Sequence, residues 1–342
     1  MKLSIITTIY KAEKDLPRLL DSMMAQKSLE LEFFLIDNGS PDRCGDICKE
    51  YLAKDSRFVL YTIKDNIGYI GARNKGLSIV DADYVGFCDS DDYLEPGGYD
   101  HAIEILKKYN CDLYLTSWNT IYGKKVVTTS LPYSCGLYTG KKVENNILPN
   151  AFGPANGKGK LHGFAWKEIF KSEIAKRKSF LEELKPYEDQ IFNIDILSES
   201  SSVFIDNYPI YNYIVNQDSI TAQITKHYDV QSDWRRIKLL YQEKSKRANS
   251  PLSYRCLSID CLNSICGLLN NEYRCHRQLS DVAAFLEEDY DVVKMIIDGA
   301  GIHIGFRLSI VKLCLRHRAM KLLEVLVVFQ NLIRTLCHKS SL

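Results

Sequence analysis

Apolar residues in the first part of the chain follow two alternating periods. Leu3 to Thr8 is a continuous, largely β-branched run, after which Leu16, Leu19, Leu20, Met23 and Met24 recur at helical spacing. Phe33 to Ile36 is a second apolar run, ending in Asp37-Asn38-Gly39-Ser40; Ile47, Cys48, Tyr51 and Leu52 mark a helix, and Phe58 to Ile63 a third strand. Gly68 to Val80 predicts a short helix carrying Arg73, Asn74 and Lys75. Tyr84 to Cys88 predicts a buried strand that stops at Asp89-Ser90-Asp91-Asp92, and after a helix at about Tyr99 to Tyr109, Asp112 to Trp118 supplies one more strand. Apolar strands alternating with helical periods are the signature of βαβ units around a largely parallel sheet. Ligands of such sheets sit beyond the carboxyl ends of the strands, so the polar clusters after Ile9, Ile36 and Cys88 are expected to converge on one crevice.

The pattern then changes. From Asn119 to about Gly163 it is irregular and rich in Gly, Asn, Tyr and Thr, which predicts hairpins and a loop around Gly153-Pro154-Ala155-Asn156-Gly157. Glu188 to Leu197 reads as a helix opening on an acidic pair. Asp206 to Val215 alternates aromatic and polar residues as an exposed edge strand does, and beyond about Lys226 the chain reads as helical. The expected organisation is an α/β domain over residues 1–225, with halves 1–118 and 119–225, followed by a helical region, 226–342.

Composition narrows the classes of function. A chain of 342 residues with 46% hydrophobic residues can bury one main core and a smaller second one. Lys and Arg number 44 against 43 Asp and Glu, so there is no basic field to attract nucleic acid, and no nucleic-acid partner is expected. The 11 cysteines are odd in number and scattered, with Cys88, Cys111 and Cys314 inside apolar stretches, and they read as reduced core thiols of a cytoplasmic protein. Cys44 and Cys48 form a CxxxC with no second ligand pair nearby, the spacing of residues one helical turn apart rather than of a zinc site. Lys2 to Ile9 opens directly as a strand, without signal-peptide character. Val325 to Phe329 is far shorter than the roughly 20 residues needed to span a bilayer. Near the carboxyl end Arg307, Lys312, Arg316, Arg318, Lys321, Arg334 and Lys339 oppose only Glu324, interleaved with Leu, Ile, Val and Phe. Two readings stand: a basic amphipathic helix in peripheral contact with an anionic membrane, at the inner face of the cell membrane, or an apolar stripe packed on protein with its charges solvated.

Asp89, Asp91 and Asp92 concentrate negative charge at the end of a buried strand, which raises at least one pKa unless a cation compensates. Carboxylates suit hard cations, and Mg²⁺ or Mn²⁺ typically takes one or two of them together with substrate phosphate oxygens. A calcium EF-hand loop is excluded, because it requires an acid or Asn, a Gly and a Glu where Tyr93, Leu94 and Asp100 stand. Gly68-Tyr69-Ile70-Gly71 is not GxGxxG, and no GxxxxGK[ST] loop occurs.

Four segments taken in order resemble the motif series of family 2 glycosyltransferases with the GT-A fold, of the bacterial polysaccharide and capsule type. They are Ser4-Ile5-Ile6-Thr7-Thr8-Ile9-Tyr10, Leu35-Ile36-Asp37-Asn38-Gly39-Ser40, Gly71-Ala72-Arg73-Asn74-Lys75-Gly76-Leu77 and Phe87-Cys88-Asp89-Ser90-Asp91-Asp92-Tyr93. The resemblance continues more weakly in Phe164 to Phe170, Tyr187 to Phe192 and Tyr211 to Thr221, covering about the first 225 residues.

The resemblance implies a Rossmann-like α/β catalytic domain over 1–225, with a nucleotide-binding half and an acceptor half, and a soluble enzyme moving a sugar from a nucleotide diphosphate sugar, UDP first among them, to a glycan or lipid-linked glycan. It implies that Thr8, Tyr10, Asp37 and Asn38 hold the nucleoside and that Arg73 lies near the base or diphosphate. Asp89 and Asp91 would form the DxD motif, and Asp91 or Asp92 would hold Mn²⁺ or Mg²⁺. Glu188-Asp189 would supply the catalytic carboxylate, Asp189 being favoured as general base for an inverting displacement, and Ser219 would contact the diphosphate. Glu188-Asp189 also suits a helix start through capping and dipole complementation, and His162 and Trp166 read equally as sugar contacts or core. The chain departs from the family pattern at Asn38, where a second acid is usual, and at Lys11, where Asn is common. A carboxylate there accepts a hydrogen bond from uracil, whereas an amide both donates and accepts, which loosens the preference for UDP. Two other classes remain at this stage: a nucleotidyltransferase, against which stands the lack of glycine in Thr7-Thr8-Ile9-Tyr10-Lys11, and a non-catalytic sugar-nucleotide-binding scaffold.

Overall fold

A computed structural model of the chain describes residues 1–154, 161, 163–216, 229–276, 279–301, 306–319, 321–323 and 325–327. The chain divides into two compact units, Met1–Ala151 with Leu161–Ser219, and Phe152–Lys160 with Ile220–Leu342.

The first unit is α/β. Strands β1 (Leu3–Ile9), β2 (Leu31–Asn38), β3 (Phe58–Ile63) and β4 (Tyr84–Asp89) alternate with helices α1 (Leu16–Met24), α2 (Cys44–Leu52) and α3 (Gly68–Ile79). The short β5 (Tyr93–Leu94), α4 (Gly98–Tyr109), β6 (Leu113–Tyr122), β7 (Lys125–Thr129), β8 (Gly136–Thr139) and α5 (Leu148–Phe152) follow. Strand β9 (Glu168–Lys171), helices α6 (Ser172–Ala175) and α7 (Glu188–Glu199), and strand β10 (Ser202–Ile214) complete it. The strand order is β3-β2-β1-β4-β9-β6-β10-β5, with β7 beside β6 and β8 beside β10. Strands β1 to β4 are mutually parallel, β9 is inserted antiparallel between β4 and β6, and β10 runs parallel to β6. The apolar runs of β1, β2 and β4 are continuous because helices cover both faces of a parallel sheet; Leu3, Ile5, Ile6, Ile9, Phe33, Leu35, Ile36, Val85 and Phe87 are all buried.

Two packing features set the position of the site. Helix α3 lies against the sheet through Gly76, where an added Cβ would stand 2.4 Å from Ile36 Cδ1 and 2.8 Å from Ile6 Cγ2. That close approach brings Arg73, one turn earlier, to the end of β4. Phe87, Phe170, Phe180 and Phe192 form an aromatic cluster, with Phe180 and Phe192 stacked at 3.9 Å, that joins β4 and β9 to α7.

Strand β10 corrects one expectation. Its aromatic and polar alternation predicted an exposed edge, yet it lies between β6 and β5, with Asp206 and Asn212 buried. The polar side chains are inward and partnered: Asp206 accepts from Tyr114 Oη at 3.0 Å, and Asn212 donates to Glu95 at 2.9 Å. A buried polar residue with a partner is compatible with an interior strand, and the alternation alone cannot distinguish the two.

The second unit is helical where described. Helices Val230–Arg247, Pro251–His276, Ser280–Glu288, Tyr290–Gly299 and Phe306–Arg316 enclose a core that includes Leu257, Leu262, Ile265, Val282, Leu286, Val293, Ile296 and Ile297. In the last of these helices Val311, Cys314 and Leu315 are buried, while Leu313 is exposed. Arg316 pairs with Asp298 at 2.8 Å and Lys312 binds the carbonyl of Gly301. Among the described residues no helix is long and apolar enough to cross a membrane, and the described cysteines are free thiols.

Candidate active site

Strand register brings the predicted nucleotide segments to one place. Thr8 lies opposite Ile36 of β2 on one side and Asp89 of β4 on the other, and Ile9 lies opposite Asp37. Tyr10, just beyond β1, is 42% exposed, with the Lys11 ammonium 5.2 Å from its ring centre. Asp37 is buried and accepts from the Ser40 amide at 3.0 Å, closing a turn in which Gly39 has φ +69°. A Cβ on Gly39 would meet Lys64 O and Asn66 N, each at 3.0 Å, so this turn requires glycine.

Asn38 is placed differently from the expectation. It is 2% exposed, its Nδ2 donates to Gly68 O at 3.1 Å, and its Oδ1 accepts from Ile67 N at 3.1 Å. Both ends of the amide therefore hold the turn that starts α3, rather than facing a base. Ser219 and His162 lie outside the described residues.

The three aspartates after β4 separate into distinct environments. Asp92 is 1% exposed; its Oδ2 accepts from Tyr211 Oη at 2.7 Å and its Oδ1 from Ile214 N at 2.7 Å. Burial, then Asp89 and Asp91, push its pKa well above the ordinary carboxylate range. With both oxygens tied to β10, Asp92 anchors that strand and is not the open ligand suggested by the sequence. Asp91 is only partly buried, and among the described residues its carboxylate makes no ion pair; burial, then Asp89, push its pKa up to about 6. Arg18 donates to the Asp91 main-chain carbonyl at 2.6 Å while pairing with Asp15. Among the described residues no group of three or more His, Cys, Asp or Glu is arranged to hold a metal. The half-buried Asp91 carboxylate, unpaired by any cation among the described residues, fits a Mg²⁺-like ion that completes its shell from phosphate oxygens and water.

Arg73 is also placed differently. Its guanidinium, 6% exposed as a residue, donates from Nη2 to Asp89 Oδ1 at 2.7 Å and from Nη1 to Asp189 Oδ1 at 2.9 Å, with Glu188 Oε1 3.8 Å away. The rings of Tyr69 and Phe180 lie 5.4 and 5.6 Å from it. Burial alone would lower its pKa, but Asp189, Asp89 and Glu188 together raise it above the ordinary value. Arg73 thus joins the end of β4 to the start of α7, where the sequence placed a nucleotide contact.

Glu188 and Asp189 occupy the first turn of α7. Glu188 Oε1 accepts from Tyr69 Oη at 2.8 Å, and its Oε2 is buried with no partner among the described residues. Asp189 Oδ2 accepts from Ala165 N at 3.0 Å. Burial raises both pKa values, with Asp189 adding to the rise of Glu188 and Arg73 opposing that of Asp189. The Asp189 side chain is 14% exposed against 4% for Glu188, so Asp189 is the more accessible proton acceptor. Gly163 permits this arrangement, because a Cβ there would come within 2.7 Å of Gln190 Cγ and 2.9 Å of Gln190 Cα.

The role of Tyr211 escaped sequence reasoning, and the structure decides between the two readings of Trp166. Tyr211, fully buried, accepts from Asp89 N at 3.0 Å while donating to Asp92. Trp166 stacks on Tyr211 at 4.5 Å and on Phe164 at 5.1 Å, and is buried, which favours the core reading for it. The available signals were local: the aromatic density of Phe164-Ala165-Trp166 and the glycine before it.

The family model described as "Glycosyl transferase family 2" matches residues 4–163. The chain is 28% identical over 227 residues to "Glycosyltransferase GlyA" of Streptococcus pneumoniae serotype 4, covering 66% of this chain and 32% of that protein. It is 27% identical over 230 residues to "Putative glycosyltransferase EpsH" of Bacillus subtilis, covering 65% of this chain and 63% of that one. The chain thus spans less than two thirds of the length of either relative. Among solved structures, S. aureus TarS 1–349 in complex with UDP-GlcNAc shares the fold with a TM-score of 0.66 at 20% identity, covering 86% of this chain and 82% of that one. Mannosyltransferase PcManGT from Pyrobaculum calidifontis, in complex with GDP-Man and Mn²⁺, has a TM-score of 0.50 at 14% identity, covering 87% and 86% of the two chains.

Proposed function

We propose that this chain, whose residues 4–163 belong to glycosyl transferase family 2, transfers a sugar from a nucleotide diphosphate sugar, UDP-linked first among the candidates, to a glycan or lipid-linked glycan acceptor with inversion at the transferred carbon. The observation that carries the reading is that Arg73 ties Asp89, at the end of β4 and in register with Thr8, to Asp189 at the start of α7, with Asp91 beside Asp89. The UDP-GlcNAc complex of TarS supports a nucleotide sugar donor, and the Mn²⁺ in PcManGT supports a divalent cation.

Asp91 is the residue to hold Mn²⁺ or Mg²⁺, and a bound cation would stabilise the charge developing on the departing diphosphate. Thr8 and Tyr10 bound the nucleoside side of the crevice, with Asp37 behind them. Asp189 takes the proton of the acceptor hydroxyl as that oxygen attacks; its oxygens each keep a second lone-pair site beyond the bonds to Arg73 and Ala165. Glu188, donated to by Tyr69 and less exposed, supports the helix start rather than the proton transfer.

UDP with Mn²⁺ should raise the melting temperature by ligand linkage, and Asp91→Asn should abolish the rise. Melting curves unmoved by UDP, CDP and GDP, each with Mn²⁺, would refute the reading. Screening nucleotide sugars for slow hydrolysis without acceptor then identifies the donor.

A further inference from the structure

Arg73 presents a problem that a nucleotide contact does not solve. It is buried, flanked by two rings, and its two terminal nitrogens already donate to carboxylates from separate elements, Asp89 on β4 and Asp189 on α7, with Glu188 as a third neighbour. A planar fork shared in this way fixes direction as well as distance, which an ammonium cannot do. The partners lie 16 and 116 positions away in sequence, so nothing local requires the contact.

We propose that Arg73 is a positioning residue: one shared counter-ion that sets the Asp189 carboxylate against the donor-side Asp89, holds Asp189 ionised, and makes no essential contact with the nucleotide. The inference rests on Asp189 being the proton acceptor of the proposed transfer. The groups facing Asp189 support it. Asp89 from β4 and the neighbouring Glu188 on α7 disfavour its charge, Lys167 from the turn before β9 favours it from a distance while paired with Glu168, and the Ala165 amide contributes one neutral hydrogen bond. Arg73 is therefore the one cation in direct contact with Asp189 among the described residues. Removing a buried counter-ion leaves an uncompensated charge, which is more damaging than removing both members of the pair.

The test uses the full chain as Arg73→Met, Arg73→Lys, Asp189→Asn and the double variant Arg73→Met/Asp189→Asn. Arg73→Met should lower the melting temperature, and adding Asp189→Asn should recover a large part of the loss, whereas Asp189→Asn alone in the wild-type background should be destabilising. With Mn²⁺ present, UDP affinity of Arg73→Lys and of the double variant, measured by calorimetry, should stay within about threefold of wild type. A lost charge-assisted contact to a diphosphate weakens binding by roughly tenfold or more. On the nucleotide sugar that wild type hydrolyses fastest, Arg73→Lys should keep the acidic limb of the pH profile near its wild-type position at reduced turnover, and Arg73→Met should move that limb upward by about one pH unit or more. Equal destabilisation with and without Asp189→Asn, or a UDP affinity at least about tenfold weaker in Arg73→Lys, overturns the proposal. Failure of wild type to bind any nucleotide diphosphate sinks the glycosyltransferase reading instead, and leaves the stability rescue to decide the role of Arg73.

Discussion

Asp91→Asn should make the protein more stable at neutral pH in the absence of a divalent cation, although it removes the residue proposed to hold the cation for donor binding. The folded state pushes the Asp91 pKa from 3.8 up to about 6, through burial first and Asp89 second. Between these values the native protein keeps a proton that the unfolded chain has released, so stability falls as pH rises through this window and levels off above it. A rise of about two units, at about 1.4 kcal/mol each, makes the change about 3 kcal/mol. The substituted amide carries no charge and is free of that loss, so the stability difference between variant and wild type should grow by about 3 kcal/mol in the variant's favour from pH 4 to pH 7.5. Trp118 and Trp166, packed edge to face at 5.7 Å in the α/β unit, report its unfolding by fluorescence in urea with a chelator present. Mn²⁺ should reverse the order, because the cation stabilises only the protein that keeps the carboxylate. A difference that stays flat across this range, or that turns against the variant, refutes the claim that Asp91 is held at a cost for want of a cation.

Other substitutions separate architecture from chemistry. Tyr211→Phe keeps the ring stacked on Trp166 but leaves Asp92 Oδ2 and the Asp89 amide without their shared hydroxyl, and should cost about 2 to 4 kcal/mol in urea unfolding, a loss under about 1 kcal/mol counting against this role. Gly163→Ala drives a methyl into Gln190 and so displaces Ala165 from Asp189; turnover should fall at least about tenfold while UDP affinity holds, and an unchanged rate would show that the contact is dispensable. Asn38→Asp introduces the acid usual in the glycosyltransferase pattern the sequence resembles but removes the donor to Gly68 O; stability should drop by about 1 to 3 kcal/mol, and a stabilised variant binding UDP more tightly would return the residue to the nucleoside.

The parallel half of the sheet was legible because its strands are buried on both faces, and Leu3 to Thr8, Phe33 to Ile36 and Tyr84 to Cys88 are apolar enough to leave no alternative. Their ends also located the crevice, since parallel strands in register bring the residues after each one together. The sequence could not show how each carboxylate is used. Asp91 and Asp92 are adjacent and chemically identical, and they differ because β10, more than a hundred positions later, supplies Tyr211 and the Ile214 amide to one of them. The sequence also could not show the partners that Arg73 and Asn38 have within the chain, because Asp189 and Gly68 come against them only once helices α3 and α7 are packed. Strand β10 itself was misread for a related reason: buried Asp206 and Asn212 have partners on α4, on β6 and at Glu95 just after β5 that periodicity does not encode.

The charge balance of the crevice constrains the order of events. Asp91 and Asp92 lie beside Asp89, and Asp89 is joined to Asp189 and its neighbour Glu188 through Arg73, the cation bonded there among the described residues, while Lys167 is held by Glu168 and Arg18 by Asp15. A diphosphate approaching this group brings more negative charge. At an effective dielectric of about 20, like unit charges about 6 Å apart repel by roughly 3 kcal/mol, a factor of about a hundred in affinity. On the proposed function, a cation at Asp91 would be a condition for donor binding and not only an aid to bond breaking. UDP affinity should fall about a hundredfold or more when a chelator removes divalent ions, whereas uridine, which lacks the phosphates, should bind with nearly the same affinity in both conditions. A UDP dissociation constant that moves less than about threefold on chelation would place the diphosphate away from Asp91, and the carboxylates at the end of β4 would then need another purpose.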